Sequence, residues 1–220
     1  MNDSLSILWE ERALFINGTL NTILLVITAG ILSLIGGVLL AITMKSGSKR
    51  VQYFTQLLVD IARSIPFLLL AYIFYYALPQ FGLRLPAWWA GLIALTLYNT
   101  AYFGEIFRAS WSNLPITHIE TGRAFGMTQY TLLKKIVFPQ VFLNSAPLIG
   151  SQFIVMIKDT AFLTIITVQD LTFAANFINA NYFKPFAPFV LALAIYWVLC
   201  HIVEQGVSYI TKLADKRRFT

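Results

Sequence analysis

The sequence predicts an all-α integral membrane protein with five transmembrane helices, and two properties of its composition lead to this prediction. Of the 220 residues, 58% are hydrophobic and only 12% are charged, whereas a soluble domain usually carries about twice that charged fraction. The charged residues are also separated by long uncharged runs. A chain of this length could bury only part of so much apolar surface in one core, which argues against a soluble enzyme. The single cysteine argues against a disulfide-stapled scaffold.

Five uncharged runs place the predicted spans. Each run can hold most or all of a helix of about 20 residues, the length that a bilayer core requires. Lipid cannot satisfy an open backbone, and the alternating pattern of a barrel is absent, so the spans are predicted to be helical. The predicted spans lie within a single transmembrane domain of residues 1–220, near residues 19–44, 53–78, 87–110, 134–157 and 187–211.

The basic residues predict the orientation of these spans. With the N-terminus outside, eleven Lys and Arg residues fall on inner segments and four on outer segments. The positive-inside rule therefore favours the N-terminus outside and the C-terminus inside. This asymmetry accounts for the net charge of +6. Because the chain lacks a basic face on a soluble fold, we expect no nucleic-acid partner.

Small residues recur on the first predicted span at every fourth position. They are Ser33, Gly37 and Ala41. This spacing favours the close approach of another helix. The alternative is that glycine is simply common in membrane helices.

The longest inner segment, about residues 111–133, contains signals for two short helices. Thr117 and Glu120 fit a capping box, and Gly126 fits a residue of positive φ that ends the first helix. Thr128 can cap the second helix. An apolar side of the first helix favours a docking partner, although an amphipathic helix on the lipid surface is the alternative. The apolar side comprises Ile116, Ile119, Ala124 and Phe125.

This segment resembles the loop of importer permeases of the ATP-binding-cassette (ABC) class. Their pattern is E-A-A, three residues, G, nine residues, I, one residue, L-P. The chain has Glu120-Thr121-Gly122, then Gly126, then Ile136-Val137-Phe138-Pro139, so every interval is kept. The departures are Thr121 and Gly122 for the two alanines and Phe138 for the leucine.

Further motifs resemble the polar amino-acid branch of that class, in the same order along residues 18–172. One motif opens the first span and one lies in the second. A third precedes the inner loop, and a fourth follows the fourth span. The four are Gly18-Thr19-Leu20-Asn21-Thr22, Ala62-Arg63-Ser64-Ile65-Pro66, residues 101–108 and Lys158-Asp159-Thr160-Ala161-Phe162.

The resemblance implies one half of a permease in a bacterial cytoplasmic (inner) membrane. A second permease subunit, identical or homologous, would complete the pathway, and an extracytoplasmic solute-binding protein would deliver a polar amino acid. A dimer of ABC ATPases would bind the inner loops and use the ATP. The chain itself lacks a G-x-x-x-x-G-K-[ST] phosphate loop, so we expect ATP hydrolysis in another chain. The implied coupling residues are Glu120, Gly122, Ala124, Phe125 and Gly126.

Charges within or beside the spans are candidates for the pathway. Asp60 and Arg63 share a helix face and pair with each other or contact the pathway or inner gate. A zwitterionic solute needs a cation for its carboxylate and an anion for its ammonium group. Lys158, together with Asp159 or Asp170, could supply both. On this hypothesis, neutralising Lys158 abolishes uptake.

The remaining polar residues predict neither an enzyme nor a metal site. Ser, His and Asp show no catalytic spacing, and the two histidines lack a second ligand at a suitable interval. We therefore expect no bound cofactor. Two other functions stay open at this point. One is an importer of the same architecture for another small solute, and the other is a membrane scaffold or channel without an ATPase partner.

Overall fold

The computed structural model describes the backbone of residues 2–218 and the side chains of residues 4–212. Met1, Phe219 and Thr220, which the predicted domain includes, lie outside the described residues. The described part is helical, without strands. Its α-helices are α1 (Asn2–Glu10), α2 (Arg12–Ser46), α3 (Lys49–Ser64), α4 (Phe67–Tyr72), α5 (Ala87–Ser112), α6 (Ile116–Ala124), α7 (Gln129–Leu132), α8 (Phe138–Thr160), α9 (Leu171–Tyr182) and α10 (Phe186–Arg218).

Tighter or wider helical turns extend several of these helices. A π-helical turn and then a 3₁₀ turn follow α4, a π-helical turn joins α7 to α8, and a 3₁₀ turn follows α8. These turns occupy Ile73–Ala77, Leu78–Phe81, Leu133–Val137 and Ala161–Ile166.

Helices α2 and α5 form the centre of the bundle, and small residues allow their contact. Ser33, Gly37 and Ala41 are all buried. A Cβ added at Gly37 would lie 2.6 Å from the Phe103 Cβ and 2.9 Å from the Gly104 backbone nitrogen. The Ser33 hydroxyl also donates to the Thr96 carbonyl oxygen at 3.0 Å. The small-residue spacing therefore marks a close helix contact, as the sequence predicts.

A buried amide pair joins α5 to α8. The Gln152 side chain donates to the Asn99 side-chain oxygen at 2.8 Å, and Asn99 donates to the Leu95 carbonyl oxygen at 2.8 Å. Asn99 is fully buried and Gln152 is 8% exposed. Hydrogen bonds between membrane helices satisfy polar groups that lipid cannot satisfy. The sequence analysis did not identify this pair.

The second predicted span, residues 53–78, is not one helix. It is divided into α3 and the segment Phe67–Phe81, whose axes differ by 96°. Ile65 adopts an extended conformation (φ −85°, ψ 130°) because the ring of Pro66 disfavours helical geometry in the preceding residue. Proline also lacks the amide hydrogen that would continue the helix. The sequence indicates a bend at this proline but not its size.

By length and composition, three described helical segments can cross a membrane. The bent pair of α3 and the segment after it would be a fourth. Helix α5 has 26 residues, or about 39 Å of rise, but its composition is more polar. The expected count of five spans, their bounds and the orientation of the termini stay predictions. The three segments are Arg12–Ser46, Gln129–Ile166 and Phe186–Lys212.

Two helices were not predicted from the sequence. Helix α1 precedes the first span, and α9 lies between the fourth and fifth predicted spans. Ala174, Ala175 and Ile178 of α9 are buried with Phe15 in a cluster of their own. Helix α9 therefore packs into the bundle, although its 12 residues are too few to cross a bilayer core.

Candidate functional site

The inner loop folds into α6 and α7, as predicted, but α6 begins differently. Its N-cap is Pro115, which provides no side-chain hydrogen bond. The predicted capping box of Thr117 and Glu120 is therefore wrong, because the helix begins at Ile116 and Thr117 already lies in its first turn. Pro115, with φ −57° and ψ 127°, follows the turn after α5 and is the last residue before the helix.

The C-terminal end of α6 forms as the sequence predicts. Gly126 has a φ of +70°, a conformation that glycine adopts without steric cost. The Met127 amide donates to the Gly122 carbonyl oxygen at 3.1 Å, which closes the helix end. The Thr128 hydroxyl then caps α7 by accepting from the Thr131 amide at 3.3 Å.

Helix α6 rests on α7 and on the π-helical turn that leads into α8. Gly122 is buried, and a Cβ added there would lie 2.5 Å from the Leu132 Cδ1 and 2.9 Å from the Ile136 Cδ1. On the same side, the His118 Nδ1 donates to the Gln140 Oε1 at 2.8 Å. These contacts fix α6 against the start of α8.

The opposite side of α6 is open. Ile116 is 67% exposed and Phe125 is 79% exposed, and Glu120 and Ala124 are also exposed. Ile119 is half-buried. The predicted apolar side therefore remains largely uncovered, with two large apolar side chains on a helix that its other side holds in place.

Polar side chains join α3 to α5 near the end of α5 that leads to α6. Arg108 binds Glu105 through two hydrogen bonds of 2.7 and 2.5 Å. Gln56 donates to Asp60 at 3.0 Å and to Glu105 at 3.4 Å. The Arg63 Nη1 and the Asp60 Oδ1 are 3.9 Å apart, a loose pair with the Asp60 side chain 55% exposed. Glu105 and Arg108 thus satisfy each other, whereas Arg63 has only a distant carboxylate.

Two tyrosines of α5 continue from Arg63 along the helix. The Tyr102 hydroxyl donates to the Arg63 carbonyl oxygen at 3.3 Å, and the guanidinium carbon lies 5.3 Å from the centre of the Tyr102 ring. The Tyr98 and Tyr102 hydroxyl oxygens are 3.2 Å apart. The sequence analysis did not identify either tyrosine, although their spacing of four residues places them on one helix face.

Comparison with known proteins places this fold in a family. The family model described as "Binding-protein-dependent transport system inner membrane component" matches residues 33–215. The chain belongs to this family.

Relatives and solved structures agree with this permease family. A probable glutamine ABC transporter permease protein, GlnP of Bacillus subtilis (strain 168), is 32% identical over 94% of this chain and 93% of its own length. The arginine transport system permease protein ArtQ of the same organism is 27% identical over 99% of this chain and 98% of its own. A crystal structure of an amino acid ABC transporter with histidines has 30% identity and a TM-score of 0.87, and covers 94% of this chain and 97% of that chain.

Membership in the permease family settles two general points. The chain is a multi-pass membrane protein and a transport component rather than an enzyme. In ABC importers of this family, a separate ATPase subunit uses the ATP. A more distant structure, an inward-facing MetNI methionine ABC transporter, has 18% identity and a TM-score of 0.78, and supports the fold alone.

The motif that opens α2 in this permease fastens the turn before α9. A Cβ added at Gly18 would lie 2.6 Å from the Asp170 carbonyl oxygen. The Asn21 side chain donates to the Gln169 carbonyl oxygen at 3.0 Å, and the Thr22 hydroxyl accepts from the Leu171 amide at 3.2 Å. The motif therefore binds the backbone of residues 169–171, and Gly18 allows that backbone to lie close to α2.

Asp170 caps the N-terminus of α9 in the permease. Its side chain accepts from the Phe173 amide at 2.8 Å and from the Tyr196 hydroxyl at 3.2 Å. The residue is fully buried. Both carboxylate oxygens are thus occupied by the protein, so this arrangement favours a structural role over the solute contact expected from the sequence.

Lys158 and Asp159 point in different directions, although they are adjacent in sequence. Lys158 is exposed and lines a groove of about 380 Å³ with Thr172 and Tyr196. Asp159 is half-buried, on the face of α8 where Gln152, about two turns earlier, is hydrogen-bonded to α5. Successive residues on a helix are rotated by about 100°, which explains the divergence. These different surroundings favour separate roles for the two charges.

Proposed function

We propose that this permease is the membrane-spanning subunit of an ATP-driven importer for polar amino acids. It would form the translocation pathway by alternating access, with a second permease subunit that is identical or homologous. An extracytoplasmic solute-binding protein would deliver the solute in a bacterial inner membrane. The support is the family match together with relatives that are named for glutamine and arginine transport.

The single observation that carries the coupling to an ATPase is the open side of α6. Phe125 and Ile116 are exposed on a helix whose other side packs through Gly122 against α7 and the π-helical turn before α8. A rigid helix with uncovered apolar side chains fits an apolar groove on a partner. We assign Ala124, Phe125 and Glu120 to the contact with an ABC ATPase dimer. Gly122 and Gly126 would maintain the shape of α6.

Transport in proteoliposomes tests the function. The chain is purified with its ATPase, permease and binding-protein partners and supplied with radiolabelled glutamine, arginine or histidine. We expect at least one of these amino acids to accumulate in the proteoliposome lumen only when ATP is enclosed there, on the side of the ATPase subunits. A complex with a hydrolysis-deficient ATPase is the control. Lack of accumulation of all three by an active complex would contradict the amino-acid assignment.

The proposed topology has five spans, with the N-terminus outside and the C-terminus inside. It places Phe81 on the outer side and Phe125 on the inner side. In a Cys200→Ser background, we expect a membrane-impermeant maleimide to label Phe81→Cys in spheroplasts, whose cytoplasmic membrane is intact. Phe125→Cys should be labelled only after permeabilisation. Equal labelling of both cysteines in unpermeabilised spheroplasts would contradict the topology.

A further inference from the structure

Two oppositely charged, half-buried side chains each have a buried atom without a hydrogen-bond partner. In the part of the chain that the structure describes, the Arg63 Nε and the Asp159 Oδ2 are such atoms, and the neutral Thr96 hydroxyl is the third. Leaving a buried polar atom unpaired is costly, and more so when the group is charged. A charged group that the protein itself leaves partly unpaired is therefore a candidate for contact with a ligand.

The surrounding charges leave Arg63 available to an anion. Glu105 is already bound by Arg108 through two hydrogen bonds. Asp60 lies 3.9 Å from Arg63, and it also accepts a hydrogen bond from Gln56. The guanidinium group is therefore only loosely paired.

Tyr102 and Tyr98 of α5 extend the polar surface beside Arg63. Tyr102 contacts Arg63 through its hydroxyl and its ring, and its hydroxyl lies 3.2 Å from that of Tyr98. Asp159 lies about two turns beyond Gln152, which is hydrogen-bonded to α5, and it therefore shares the face of α8 that contacts α5. Arg63 of α3 therefore lies beside two hydroxyls of α5, and Asp159 lies on the face of α8 that packs on the same helix.

We infer that Arg63, Asp159 and the two tyrosines form the site for the backbone end of an α-amino acid. Arg63 donates N–H groups to the solute carboxylate, and Asp159 accepts from its ammonium group. The tyrosine hydroxyls bond to either group. This inference rests on the proposed function and identifies which charges of the permease recognise the solute.

The site differs from the expectation based on sequence, because Lys158 is not part of it. Lys158 faces the groove beside Thr172 and Tyr196, and Asp170 is occupied by the Phe173 amide and Tyr196. Lys158 therefore provides a matched control. It is a charged neighbour of Asp159 whose neutralisation leaves the proposed site unchanged.

The test measures transport and ATP hydrolysis in the same proteoliposomes. Asp159→Asn and Arg63→Gln are compared with Lys158→Gln, using whichever of glutamine, arginine or histidine the wild-type complex accumulates. We expect both site variants to lower uptake about 10- to 100-fold, the effect of losing a charge-assisted hydrogen bond. The rate of ATP hydrolysis stimulated by the solute-bound binding protein should stay within about twofold of the wild-type rate. Lys158→Gln should transport as the wild type does.

Assembly is checked by size-exclusion chromatography of each complex. If Asp159→Asn fails to assemble, Tyr98→Phe removes only a hydroxyl of the site and is expected to raise the KM for uptake about tenfold. Wild-type uptake by Asp159→Asn and Arg63→Gln, or an unchanged KM for Tyr98→Phe, would overturn the site. An equal loss in Lys158→Gln would also overturn it. A wild-type complex that imports no amino acid would instead overturn the proposed function, and the site with it.

Discussion

Replacing Phe125 with aspartate is expected to weaken the association of the permease with its ATPase by about 30- to 1,000-fold. Phe125 is 79% exposed, next to the helix end formed by Gly126. An aromatic side chain that fills a partner's pocket contributes about 2–4 kcal/mol to binding. Losing that free energy raises the dissociation constant about 30- to 1,000-fold. A carboxylate in the same pocket would also lose its hydration.

The measurement is the dissociation constant of the purified permease for its ATPase, together with ATP-driven uptake. Phe81→Asp is the matched control. Phe81 is 81% exposed, and it lies on the segment that we place on the outer side. The control should bind the ATPase normally. If both variants bind as tightly as the wild type, α6 is not the docking element, and a position of α6 on the lipid surface becomes the better interpretation.

Replacing Gly37 with leucine is expected to disrupt the centre of the bundle. Even a Cβ at this position would lie 2.6 Å from the Phe103 Cβ and 2.9 Å from the backbone nitrogen of Gly104. Backbone atoms cannot move aside as a flexible side chain can, so α2 and α5 must separate. Overpacking of a close-packed core usually costs about 1–3 kcal/mol, and a leucine against backbone belongs at the upper end.

Thermal unfolding in detergent checks this expectation. For a chain of this size, about 3 kcal/mol corresponds to a Tm lower by roughly 6–12 °C. Gly206→Leu is the control because nothing lies within 4 Å of a Cβ at Gly206. Its Tm should differ from that of the wild type by no more than about 2 °C. Equal Tm values for the two leucine variants would show that the α2–α5 contact does not determine stability.

The sequence predicts the long helices well, because lipid requires long uncharged runs and satisfies no open backbone. Helices α2, α5 and α10 each cover a predicted span, and α8 covers another together with the π-helical turn before it. Gly126 and Thr128 were also predicted correctly, because a positive φ and a helix cap are determined by neighbouring residues alone.

The features that the sequence analysis missed depend on contacts between distant segments. Helix α9 is too short to be recognised as a membrane span from its uncharged run. Asp170, its N-cap, is a local signal that could have identified the helix. The 96° bend before Pro66 depends on what α4 packs against, and the proline alone does not determine it. Thr117 and Glu120 matched a capping pattern, but the neighbouring Pro115 shifted the start of the helix.

The candidate site shows the same distinction. Arg63 and Asp159 were identified because charges are rare in apolar helices. Their relation to Tyr98 and Tyr102 required the structure, since tyrosine is also common at membrane interfaces. The divergence of Lys158 from Asp159 likewise depends on which neighbours surround α8.

The contact between the opening of α2 and the turn before α9 has a consequence for inferring cargo from sequence. Gly18, Asn21 and Thr22 meet main-chain atoms, and every amino acid has the same main chain. Such a motif can persist in transporters of quite different nutrients, because it reports how the scaffold is tied together. Annotation of nutrient preference from that stretch would therefore be uninformative, and comparison should centre on the side chains that face the passage.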